Sequence, residues 1–154
     1  MKRIHFALPL PKWHEWLVYA AVGLLTATGL AWLLLDRFGT VEGEFGPEQN
    51  PALPWLLSGH GVLAYAFVVA AAMLVPVHMR LGWNARRNRS SGLALVAIGL
   101  FLTVTGLLLY YASAEALRSL ASTLHWVAGL LLPALLVLHL VRGKRSRPRP
   151  EARR

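Results

Sequence analysis

Residues 124–141 read LHWVAGLLLPALLVLHLV, an almost wholly apolar run with a histidine near each end, His125 and His139. At about 100° per residue, these fourteen residues turn a helix through about 1400°, some 40° short of four turns, and rise roughly 21 Å. Both imidazoles therefore leave nearly the same face. Ionisable groups within a membrane span are costly and rare, so two on one stripe call for a chemical reason.

Working outward, a second stretch repeats the device. Residues 59–79, GHGVLAYAFVVAAAMLVPVHM, carry His60 and His78. Eighteen residues amount to about 1800°, five turns of a continuous helix, so this pair is also expected on one face. The eighteen-residue interval rises about 27 Å, some 6 Å more than the fourteen-residue one, and tilt, fraying or a kink at Pro76 must absorb the difference.

The composition gathers into the same kind of run. Hydrophobic residues make up 56% of the 154 and charged residues only 15%, leaving no soluble domain to carry a nucleic-acid-binding face. Four apolar runs, approximately 16–35, 56–79, 93–111 and 120–141, meet the length of about 20 residues that a hydrocarbon core requires. The expected fold is all-α: a four-transmembrane-helix bundle occupying residues 1–142, followed by a basic tail over 143–154. The basic start and the first run, which ends in WLLLDRF without a small-residue cleavage site, read as a retained first span.

The net charge of +9 is unevenly placed. Basic residues fill 1–12, 80–89 (with Arg80, Arg86, Arg87 and Arg89) and 142–154. The connection 36–54 instead holds Asp36, Glu42, Glu44 and Glu48 against Arg37, and 112–119 is nearly neutral with Glu115 and Arg118. The positive-inside rule then puts both termini and the middle loop in the cytoplasm. The acidic loop, rich in Gly and Pro, is expected to be irregular in outline and to face a partner. The linker ASAEALRSLAS, residues 112–122, is expected to lie along the membrane surface as a helical turn or two. The tail is expected to lie near anionic headgroups.

An internal repeat links the halves. LLTATGL at 24–30 matches FLTVTGL at 101–107, and each precedes a helix with two histidines. The second and fourth helices then run parallel, pairing His60 with His125 at the periplasmic side and His78 with His139 at the cytoplasmic side. Two separated imidazole pairs, without carboxylate or thiolate ligands, suit two six-coordinate haem irons built for electron transfer. The chain has no cysteine, which excludes thiolate-held clusters and covalent haem attachment within it.

His14, level with His78 and His139, is the alternative ligand or quinone contact, although its repeat counterpart is Ser91. Gly29 and Gly106 carry two readings, close helix packing or room for a flat macrocycle. The threonines beside them are expected to bond their own helix. Arg80 and Arg142 stand just beyond the cytoplasmic histidines, where they set topology or neutralise haem propionates. Arg37 and Arg118 are weaker candidates of the same kind, and His5 in the polar arm is given no role. No nucleophile–base pair is visible. A different class of function remains open, a small transporter or channel subunit passing protons or metal ions along the histidines. A purely structural anchor for a redox complex is the third.

These motifs, TATG and TVTG before the histidine helices, HGVLAYAF…VPVH and LHWVAG…LVLH, resemble those of the bacterial four-helix di-haem cytochrome b family. Such proteins are membrane subunits of hydrogenases, formate dehydrogenases and related oxidoreductases. The resemblance implies two haem b groups, a site in the inner membrane, and electrons moving between a periplasmic redox partner and the quinone pool.

Overall fold

The computed structural model describes residues 11–86 and 88–145. Within them, four helices are long and apolar enough to cross a membrane: α1 (Lys12–Phe38), α2 (Leu53–Ala72), α4 (Arg89–Tyr111) and α5 (Glu115–Arg145). Very few side chains on them are buried, and large apolar residues along all four are exposed. Such exposed apolar faces are compatible with contact to membrane lipid. His5, Arg87, the basic start and the tail beyond Arg145 lie outside the described residues.

The chain divides into two compact units, Met1–Val75 and Pro76–Arg154. In the first, α1 packs antiparallel on α2; in the second, α4 packs antiparallel on α5. Each unit is thus a helical hairpin holding one copy of the Thr-X-Thr-Gly segment.

The loop between α1 and α2 departs from the irregular outline expected of it. Val41–Gly43 (β1) and Gly46–Glu48 (β2) form an antiparallel hairpin closed by the pair Gly43 and Gly46 around Glu44 and Phe45. Gly46 takes φ +118°, a conformation that side chains rarely adopt. Its ladder is so short that no alternating pattern precedes it, and Pro47 within β2 argues against a strand on sequence grounds. Beyond it, the Asn50 side chain accepts a bond from the Ala52 backbone N–H at 3.0 Å, and Pro54 stands in the first turn of α2.

The second apolar run is not the single helix that 56–79 predicts. α2 ends at Ala72, Val75–Met79 are π-helical, and a short α3 (Arg80–Asn84) follows. Pro76 accounts for the break: it offers no N–H to the carbonyl of Ala72, four residues earlier, and its ring crowds that carbonyl. The Leu74 N–H turns instead to Ala71 O at 3.0 Å. The helical phase connecting His60 to His78 is therefore interrupted, and their common face does not follow from counting residues. Pro133 interrupts nothing, and α5 runs unbroken through it. The 112–122 linker also differs from expectation. Only Ala112–Ala114 separate α4 from α5, because residues from Glu115 onward join the last helix.

Candidate functional site

The site begins at the repeated threonines. In a helix, a threonine hydroxyl reaches back to the carbonyl one turn earlier. Thr26 donates to Val22 O at 2.8 Å, and Thr103 to Gly99 O at 2.9 Å. Thr28 donates to Leu24 O at 2.8 Å, and Thr105 to Phe101 O at 2.9 Å. The last two do more than this. Thr28 Oγ1 lies 2.9 Å from His60 Nδ1, and Thr105 Oγ1 lies 2.9 Å from His125 Nδ1. The neighbouring glycines complete the cradle. A Cβ at Gly29 would stand 3.2 Å from His60 Cε1, and one at Gly106 would stand 3.5 Å from His125 Cε1. The close approach that glycine allows at both positions is to the imidazole ring.

A third copy of the arrangement stands one register step along the second hairpin. Fourteen residues before Thr105 is Ser91, and fourteen after His125 is His139. Ser91 Oγ lies 3.0 Å from His139 Nδ1, and a Cβ at Gly92 would come 3.6 Å from His139 Cε1. Asn88, the αL residue at the start of α4, ties the cluster together. Its Nδ2 donates to His139 O at 2.7 Å, while its Oδ1 accepts from Ser91 Oγ at 2.5 Å. Three hydroxyl–glycine dipeptides thus each hold one histidine of the facing helix.

The same step in the first hairpin leads elsewhere. Fourteen residues before Thr28 is His14, and fourteen after His60 is Leu74. The imidazole has moved to α1, where it is 5% exposed, stacks on Trp13 with centroids 5.1 Å apart, and bonds through Nε2 to Ala70 O at 3.0 Å. His78 sits in the π-helical segment that opens the second unit, exposed, with its ring centroid 6.2 Å from that of His139 and the planes at 63°.

Of the sequence-predicted site residues, the fold brings together His60 with Gly29, His125 with Gly106, and His78 with His139. Arg80 and Arg142 are exposed. Sequence reasoning missed the second role of Thr28 and Thr105, gave Ser91 no role beyond being the repeat counterpart of His14, and missed Asn88 altogether. A signal was available: Ser91–Gly92 precedes Thr105–Gly106 by the same fourteen residues that separate His125 from His139.

The donor set suits a bis-imidazole metal. Ligating histidines characteristically have their other ring nitrogen hydrogen-bonded to the protein, which fixes the ring. The ring centroids of His78 and His139, 6.2 Å apart, put the two imidazoles near enough that they would hold one metal between them. Among the described residues no group of three or more His, Cys, Asp or Glu could hold a metal ion. No protein-family model, curated protein or solved structure matches the chain.

Proposed function

We propose that this protein is a di-haem b-type cytochrome of the bacterial inner membrane, an electron-transfer subunit between a periplasmic redox partner and the quinone pool. His60 and His125 would hold the periplasmic-side haem, and His78 and His139 the cytoplasmic-side one. The observation that supports this best is the recurrence of one cradle: a hydroxyl on Nδ1 and a glycine at Cε1 against His60, His125 and His139. Histidines that merely reached for the membrane surface would have no reason to share these partners.

The bound haems would supply one-electron chemistry. The chain's own contribution is to orient each imidazole through its Nδ1 partner, and to separate His125 from His139 by a rise of roughly 21 Å along α5. With two imidazoles per iron and no open position, such a site exchanges electrons rather than binding oxygen. The acidic hairpin at 41–48 would face the redox partner, and Arg80 and Arg142 would meet haem propionates or headgroups at the opposite side. A quinone would take or give electrons beside the His78–His139 site.

A reduced-minus-oxidised optical spectrum of the purified chain tests the reading. A b-type α-band is expected, and His125→Ala and His139→Ala should each remove one haem. A colourless preparation made under full haem supply would overturn it in favour of proton or metal-ion passage. Retention of both haems in both variants would overturn the ligand assignment.

A further inference from the structure

We propose that Thr28 and Thr105 are positioning residues that hold His60 and His125 in the tautomer carrying its proton on Nδ1. The lone pair is thereby placed on Nε2. The argument follows the single proton of each hydroxyl. Thr28 Oγ1 stands 2.8 Å from Leu24 O, and a carbonyl has no proton to offer, so the hydroxyl proton lies between those two oxygens. Toward His60 the hydroxyl can then only accept, and at 2.9 Å the proton in that contact belongs to Nδ1. Thr105 repeats this, donating to Phe101 O at 2.9 Å and accepting from His125 Nδ1 at 2.9 Å.

At His139 the contacts differ, because Nδ1 faces an amide donor as well as a hydroxyl. Asn88 Nδ2 donates to His139 O, which fixes the orientation of the amide, because the reversed amide would set two oxygens against each other. Asn88 Oδ1 then accepts from Ser91 Oγ, but Asn88 Nδ2 also lies 3.2 Å from His139 Nδ1, beside the Ser91 hydroxyl at 3.0 Å, so His139 has no part in the proposal. His14 supplies an internal contrast. It meets a carbonyl, Ala70 O, through Nε2, so its proton is on Nε2 and its tautomer is the opposite one. The fold therefore sorts His60 and His125 from His14 by the nitrogen left basic.

This inference deepens the haem reading in one respect, because Nε2 is the nitrogen that iron would take. The tautomers themselves do not depend on it, and the experiment keeps the two apart. The full-length chain, labelled with ¹⁵N at histidine and prepared in micelles without haem supply, reports the tautomer through long-range nitrogen–proton correlations. The expected result is the Nδ1–H pattern at His60 and His125, and the Nε2–H pattern at His14. Thr28→Val should abolish the Nδ1–H preference at His60 alone, and Thr28→Ser should keep it. Thr105→Val gives the parallel test in the other hairpin if the first variant does not fold.

In the haem-loaded chain, Thr28→Val should raise the midpoint potential of one haem while Thr28→Ser leaves it, because a hydrogen-bonded Nδ1–H makes the ligand more basic. Nε2–H patterns at His60 and His125 in the unsubstituted chain would overturn the proposal, whereas potentials indifferent to Thr28→Val beside the expected tautomers would remove His60 as a haem ligand. A chain with the expected tautomers that takes up no haem would leave the proposal standing and remove the haem reading.

Discussion

At the scale of single residues, the decisive contacts are those between a glycine and an imidazole. An alanine at position 29 would press its methyl to 3.2 Å from His60 Cε1, tighter than ordinary carbon contacts, whereas at position 106 the separation is 3.5 Å. Gly→Ala in a helix otherwise favours folding by about 1 kcal/mol, and overpacking costs about 1–3 kcal/mol. Gly106→Ala should therefore be neutral or mildly stabilising by thermal melt in micelles. Gly29→Ala should lower the melting temperature and weaken binding at the His60 haem. His14 makes the opposite prediction. Its ring is buried against Ala70 O, so His14→Ala strands a carbonyl at a cost of about 1–3 kcal/mol. Melting should show that loss while the haem count stays unchanged; a lost haem in a folded chain would put His14 in the ligand role proposed for His78.

At the scale of elements, the two intrahelical prolines separate local chemistry from context. Both lie in apolar runs with a histidine a few residues away, yet one run breaks and the other continues. Pro76→Ala restores the missing N–H, and α2 should extend through the π-helical segment and swing His78 about the helix axis. The expected outcome is slower amide exchange over residues 73–79 together with a weakened His78–His139 haem, while Pro133→Ala leaves haem content unchanged. Unaltered exchange in Pro76→Ala would show that packing rather than proline sets the break.

The apolar runs and their approximate ends were legible in the sequence, since hydrocarbon thickness demands long runs whatever the packing. What stayed hidden was short-range: a hairpin with three-residue strands, a π-helical segment, and a linker absorbed into α5. Each depends on a few backbone bonds that leave no periodic signature. At the site, the histidines stood out because charge in a membrane is expensive. Thr28, Thr105, Ser91 and Asn88 did not, because small polar residues in helices usually serve their own backbone.

At the scale of the whole molecule, two helical hairpins carry related segments but unequal cytoplasmic-side ends on the proposed orientation. Position 14 holds an imidazole where position 91 holds a hydroxyl, and Leu74 stands where His139 does in the register. The charge distribution adds an orientation that can be tested directly. Alkaline phosphatase fused within the acidic hairpin, at position 45, should be active in intact cells, and fused at position 86 it should be inactive. The reverse pattern would invert the molecule and exchange the sides assigned to the two haems.

The most direct measurement of the central claim is a pyridine haemochrome count on the full-length chain, expressed with ample haem and purified in mild detergent. The account predicts two b-type haems per chain, falling to one in His125→Ala. A chain that folds, carries its four helices and binds no haem would contradict it.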